Sequence, residues 1–281
     1  MSALTEPLVA PAIGAGVEPP IAPEAYLADG YQVVEHLNRS KALDVYDVWS
    51  EERDCRCIAK TPRPDRLDHR STCDRLEQEG RLLQRFTHPH IVRAYEVLRD
   101  PRPVVILETL TGHTLGHLVA ARGRRLPLGD VAFLGIHLCS AAHYLHRHGV
   151  LHLDLKPSNV ASDGGRAKVL DLSLARPPGP GRRGAGTRQY MAPEQARGET
   201  VSAATDVWGI GATLYEAATG SRPFASHDGD RYDQLERGAD RVRAHRRVPA
   251  AFDGLIASCL DPLPAGRPSV EELAEALDEL A

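Results

Sequence analysis

Before Arg39 the sequence carries no lysine or arginine. A secretory leader opens with basic residues, so this N-terminus does not read as one. Long apolar runs are absent too: no stretch reaches the roughly 18 uninterrupted apolar residues that span a bilayer. These two absences predict a chain that is neither exported nor anchored in a membrane. Cysteine is scarce and odd in number, with Cys55, Cys57, Cys73, Cys139 and Cys259 at spacings that fit no zinc module. Reduced thiols are the expectation, and with them a cytoplasmic location. A large excess of either charge is missing as well, the net charge being −4. That value offers no general field for nucleic acid or an anionic membrane surface. The basic runs "RGRR" (122–125) and "RVRAHRR" (241–247) read as solvated faces. No internal repeat occurs.

What remains is globular. The 281 residues are 42% hydrophobic and 26% charged, enough for one bilobed domain or two small ones. Residues 1–25, rich in Pro, Ala and Gly and without a period, read as a flexible tail, part of which could pack on the body. From Tyr31 to about Thr109 the text favours strands: "YQVVEHL", "LDVYDVW", "CRCIAK", "IVRAYEVL" and "VVILET". One helix interrupts them, with Leu76, Leu83 and Phe86 on a single face and "HPHI" at its end. From Leu115 onward the pattern is helical. Leu134, Leu138, Ala141 and Leu145 share a face, and Gly149 stops that helix. "ATDVWGIGATLYEAATG" is apolar on most sides and predicts an interior helix, while Ser269 and Glu272 form a capping box for the last one. The expected fold is α+β: a small antiparallel sheet lobe with one helix (about 31–109), a hinge near 108–114, and a larger, mainly helical lobe (about 115–281).

Five landmarks fall in order along this frame: "CIAK" with Lys60, "EQEGRLL" with Glu79, "HLDLKPSN" with Asp154, "LDLSLAR" with Asp171, and "GTRQYMAPE" with Glu194. "DVWGIG", "SRPF" and "PAGRPSV" follow in sequence. The ordered set resembles the eukaryotic-like (Hanks-type) serine/threonine protein kinases, over residues 31–281, and the Ala/Arg/Gly-rich text is similar to that of bacterial members. The resemblance implies a bilobal fold and transfer of the γ-phosphate of ATP, with Mg²⁺, to a Ser or Thr of a protein substrate. It implies that Lys60 holds the α/β-phosphates and Glu79 fixes its ammonium. Asp171 and Asn159 would bind Mg²⁺. Asp154 would accept or orient the substrate proton, Lys156 would stabilise charge on the transferred group, and Thr187 would contact both. Asn38, Ser40, Val45, Glu108 and Leu110 take the remaining nucleotide-binding places. Glu194 and Arg267 are expected as a structural ion pair, Asp206 as a cap for amides beneath the catalytic loop, and His152 as a core histidine under Leu172. His143, His146 and His148 lie close in sequence without sharing a ligand face, so metal binding is not expected of them. Arg188 suggests an acidic residue next to the acceptor.

The sequence also departs from that pattern. Asn38, Ser40 and Leu43 stand where the phosphate loop of the family has glycine. Backbone amides survive such changes, so weakened nucleotide binding is expected, not its loss. "DLS" keeps the metal-binding acid and an apolar plug, but Ser173 lacks glycine's flexibility. Leu153 precedes the catalytic acid where regulated kinases carry an arginine that receives a loop phosphate. The loop itself, Leu174 to Gly186, has no Ser, Thr or Tyr. Receptor and ligand are missing together, which predicts activity independent of activation-loop phosphorylation. Retention of Lys60, Glu79, Asp154, Lys156, Asn159 and Asp171 favours an active enzyme. The alternative is a pseudokinase that binds nucleotide or a partner, and a third reading, a small-molecule kinase, fits the peptide shelf of "GTRQYMAPE" less well. With no sensor domain in the text, input is expected from a separate regulatory partner or from expression.

Overall fold

The structure, a computed structural model, describes residues 18–122, 125–225, 227, 229 and 231–281. Strands β1 (Tyr26–Ala28), β2 (Tyr31–Arg39), β3 (Leu43–Ser50), β4 (Cys55–Pro62), β5 (Ala94–Leu98) and β6 (Val104–Glu108) make one antiparallel sheet, in the order β1-β2-β3-β4-β6-β5. Period-two alternation in β4 and β6 sorts side chains to two faces. Cys57, Ala59, Val104 and Ile106 join Tyr46 and Val48 in an outer cluster. Val105 and Leu107 face the other way, toward Leu76, Leu83 and Phe86 of helix α1 (Arg70–Arg85) and its end. Gly80 permits this approach: a Cβ there would lie 2.6 Å from Val97 Cγ2 and 2.7 Å from Val105 Cγ2.

The outer cluster is closed by chain upstream of β1. Of residues 1–25, expected as a tail, 1–17 lie outside the described residues, and 18–25 run against the sheet. Ile21 packs on the outer cluster and donates its amide to Tyr46 Oη at 3.0 Å, while Glu24 N donates to Val33 O at 2.8 Å.

Helices α2 (Leu115–Arg122), α3 (Leu128–Arg147), α4 (Pro193–Arg197), α5 (Ala203–Thr219), α6 (Ala250–Cys259) and α7 (Val270–Asp278) form the second lobe. Strands β7 (Val160–Asp163) and β8 (Arg166–Val169) form a hairpin on it, turned by Gly164 and Gly165, both at positive φ. The interior helix is α5, buried without a break from Thr205 to Ala218. By length and mean hydropathy α3 could cross a membrane, yet half of it is buried inside the fold, against α5 and α7. The architecture is the expected α+β one. The loop between α1 and β5 reaches across to the helical lobe, with Val92 N on Val169 O at 2.8 Å and Val169 N on His90 O at 2.9 Å.

The run 241–247 corrects the expectation of a merely solvated face. Arg241 and Arg243 converge on the buried carboxylate of Asp253 at 2.9 and 3.0 Å, and Arg246 donates to the carbonyls of Leu126 and Ala218. In the run 122–125, residues 123 and 124 lie outside the described residues, and Arg125 Nη1 donates to His245 O at 2.6 Å. All five cysteines are free.

Candidate active site

Two groups of charged side chains meet between the lobes. In the first, Lys60 of β4 places Nζ 2.7 Å from Glu79 Oε1 of α1 and 3.6 Å from Asp171 Oδ2. Glu79 is 1% exposed, and burial pushes its carboxyl up to about 7 although the Lys60 ammonium pulls it down. Burial also acts to lower the pKa of Lys60, but the attraction of Glu79 and Asp171 raises it above its ordinary value. Burial would raise Asp171 too, yet Lys60 and the donors of Ser173 hold it at about 2. The lysine is therefore a fixed cation between two acids of different basicity. Glu79 Oε2 is buried with no hydrogen-bond partner among the described residues.

In the second group Asp154 is the centre. Its Oδ1 accepts from Thr187 Oγ1 at 2.8 Å and from Thr187 N at 3.0 Å. Its Oδ2 accepts from Lys156 Nζ at 2.6 Å and Asn159 Nδ2 at 3.2 Å. Lys156 Nζ also reaches Thr187 Oγ1 at 2.6 Å. Leu170 joins the groups, donating its amide to Asn159 O at 2.9 Å while its carbonyl accepts from Lys60 Nζ at 3.4 Å.

The loop that carries Asp154 is held from beneath. Asp206, on α5, accepts from the amides of His152 and Leu153 at 2.8 and 2.7 Å, and takes His146 Nε2 at 2.8 Å. Gln195 Nε2 donates to Leu153 O at 2.8 Å and Ala185 O at 3.0 Å, tying this loop to the activation segment. So clamped, Leu153 sustains a φ of +66°, a conformation a branched side chain rarely adopts. Its side chain packs with Leu151, Leu174 and Val201, closing with carbon the place expected to lack a phosphate receptor. Glu194 and Arg267 form a bidentate pair at 2.7 and 2.9 Å, buried under Trp208. His152 is 1% exposed, like Leu172, and burial depresses its pKa. The neighbouring histidines part ways: His143 pairs with Glu271, His146 with Asp206, and His148 with Tyr144 O. Among the described residues no group of three or more His, Cys, Asp and Glu is placed to hold a metal ion.

The phosphate loop corrects one expectation. Its amides survive but are not all available. Ser40 Oγ accepts from Leu43 N at 2.9 Å and Ala42 N at 3.3 Å, and Ser40 N donates to Leu43 O at 2.8 Å. The turn between β2 and β3 is thus stitched to itself, and Arg63 Nη1 anchors Ser40 O from β4's end. Asn38 lies on β2 opposite Val45 of β3, which in turn faces Lys60 of β4.

At the hinge, the Glu108 side chain is bound by Lys168 Nζ at 2.5 Å and Arg93 N at 2.9 Å, so it is occupied structurally. Leu110, by contrast, makes no backbone hydrogen bond within the described residues, which leaves one donor and one acceptor for a planar polar ring edge. Half-buried Ile58, the register partner of Leu107, and half-buried Leu170 both pack on the main core cluster and supply apolar surface. The oxygen ligands suit a hard divalent cation. Asn159 spends its NH₂ on Asp154, leaving Oδ1 without a partner among the described residues, and Asp171 stays ionised. Sequence reasoning missed Gln195, His146, Leu170 and the Ser40 hydroxyl. All four act through contacts remote in sequence or through a side chain turned on its own loop.

Comparison with known proteins identifies the family. Residues 31–277 match the family model described as protein kinase domain. The serine/threonine-protein kinase PknB of Mycolicibacterium smegmatis is 30% identical over 258 residues, 86% of this chain and 41% of the relative. A probable serine/threonine-protein kinase of Streptomyces coelicolor is also 30% identical, over 84% of this chain and 36% of its own length. The chain thus spans about two fifths of the length of these relatives. Among solved structures, a double mutant of the PknI kinase domain of Mycobacterium tuberculosis superposes with a TM-score of 0.75 at 26% identity, covering 92% of this chain and 98% of that one. Motif order, cleft geometry and relatives converge: the chain belongs to the protein kinase domain family, among its Hanks-type bacterial serine/threonine members.

Proposed function

We propose that the chain is an ATP- and Mg²⁺-dependent protein kinase acting on Ser or Thr, without need of a phosphate on its activation segment. The observation that carries this is the doubly occupied carboxylate of Asp154, with two donors on each oxygen beside an intact Lys60–Glu79 pair. Such an acid is poised but filled. Drawing Lys156 Nζ from Oδ2 toward the transferred phosphoryl group frees that oxygen to take the proton of the acceptor hydroxyl. The hydroxyl oxygen then bonds to the γ-phosphorus as the bond to the β-phosphate bridging oxygen breaks, leaving ADP. Asp171 and Asn159 Oδ1 would hold Mg²⁺, which supplies charge neutralisation across the phosphates. Lys60 binds the α/β-phosphates, and Thr187 keeps Asp154 in line.

Phosphate independence rests on Leu153 and its aliphatic neighbours, and on a segment without hydroxyls from Leu174 to Gly186. Arg188, suggested as a reader of acidic neighbours, donates to His227 O at 2.9 Å and lies over the Tyr232 ring, so it serves the shelf's own structure. Free thiols fit a reducing cytoplasm. A protein substrate and a separate regulator complete the reading.

The Ser40-stitched turn is the observation that favours a second reading, a pseudokinase with weak nucleotide binding. Radiolabelled ATP with a generic basic protein substrate separates the two. Label transfer by the wild type, lost in Asp154→Ala, supports the kinase; no transfer by either, with nucleotide still binding, sinks it.

A further inference from the structure

Between α1 and the segment after Asp171 lies a cavity of about 290 Å³. Its floor is aliphatic, formed by Leu153, Leu174 and Val201. Its rim is cationic: Arg75 comes from α1, and Arg176 and Arg182 from the opposite wall. Arg176 Nη2 donates to Pro180 O at 2.8 Å. The exposed side chains of Arg75 and Arg182 have no partner among the described residues. Asp74, the acid among the lining residues, already faces Arg70 at 3.9 Å.

This combination selects its occupant. A bare phosphate needs donors on every side and would lose hydration over a leucine floor. A purely apolar group would leave the guanidiniums uncompensated. An aliphatic side chain flanked by carboxylates meets both demands. We propose that this cavity binds a partner protein through an acidic segment, setting one leucine-sized side chain on Leu153 and its flanking carboxylates on Arg75 and Arg182.

Arg75 precedes Glu79 by one helical turn on the same face of α1. An occupant bridging Arg75 and Arg182 therefore holds α1 against the activation segment, with Glu79 on Lys60. The place where a regulated kinase would seat its own phosphate becomes a place for a regulator in trans. This effect on rate rests on the kinase reading; the binding itself does not.

Fluorescence anisotropy with a labelled peptide, leucine flanked on both sides by glutamates, tests the binding. The Asp154→Asn chain is titrated without nucleotide, so that a failed kinase assignment leaves the binding result intact. Saturable binding is expected, weaker on the order of tenfold both for Arg75→Ala with Arg182→Ala and for the peptide with serine in place of leucine. Both arginines are exposed and without a partner among the described residues, so the variant keeps its fold, which an unchanged thermal melt verifies. No binding, equal affinity in the arginine variant, indifference to the leucine, or displacement by equimolar inorganic phosphate overturns the proposal. A rise in affinity on deleting residues 1–17 overturns it too, by making the chain's own N-terminus the occupant.

Discussion

The hydroxyl oxygen of Ser40 lies 2.9 Å from the amide nitrogen of Leu43, inside the turn that would cover a nucleotide's phosphates. That one contact turns an anion cradle into a closed loop. Ser40→Gly releases the amides of Leu43 and Ala42, and ATP affinity should rise by up to about tenfold, less the entropy of a freer loop. Calorimetric titration of nucleotide checks it; unchanged or weaker binding in Ser40→Gly would show that the stitch does not limit affinity.

Activity should survive prolonged phosphatase treatment, because the segment from Leu174 to Gly186 offers no acceptor and Leu153 no receptor. Restoring the receptor alone is harmful. Leu153→Arg inserts a charge among Leu151, Leu174 and Val201, and stability should fall by on the order of 2–3 kcal/mol in denaturant unfolding. A variant as stable as the wild type would contradict the packing argument.

At Glu79, stability and activity pull in opposite directions with pH. Its folded pKa of about 7 lies above the ordinary 4.5, so its contribution to stability is full below about 4.5 and lost as pH rises through 7. The pairing with Lys60 needs the ionised form, so the rate of phosphoryl transfer should climb through the same interval. Glu79→Gln should flatten that acid limb as well as lower the rate. A limb unchanged in Glu79→Gln would assign it to another group.

The pair Glu194–Arg267 is buried and bidentate, with Arg267 side-chain exposure of 0%. Arg267→Ala leaves the buried Glu194 carboxylate with the Thr205 hydroxyl but no counter-charge, and should cost about 3–5 kcal/mol. Replacing both partners, Glu194→Leu with Arg267→Met, should recover much of the loss. Urea midpoints of the three chains decide the matter.

What could be read in the sequence was what short spacing encodes. Asp154, Lys156 and Asn159 lie within one loop, so their proximity needs no tertiary knowledge, and the capping box at Ser269 and Glu272 is equally local. Lys60 and Glu79 are separated by a strand end and a helix, so their pairing is implied by the family resemblance and not by any local pattern. Other features depend on distant partners. Arg241 and Arg243 read as solvent-facing until Asp253 arrives from α6. Strand β1 exists because Tyr26 pairs with Gln32, since three residues carry too little pattern of their own. The hairpin β7–β8 carries one valine per strand, Val160 and Val169, and its remaining residues are Ala, Ser, Asp, Arg and Lys, too short and polar a pattern to read as strands. Counting surviving amides in the phosphate loop overlooked where Ser40 would direct its own hydroxyl.

The stretch from Glu18 to Ala28 has a practical consequence. It shields Tyr46, Val48 and Cys57, all fully inaccessible, on a sheet whose opposite side is already committed to α1. The family match begins at residue 31, downstream of that shield. A polypeptide trimmed to the match would present a greasy sheet surface to water and self-associate, so recombinant production has to start no later than Glu18 to yield a monodisperse sample.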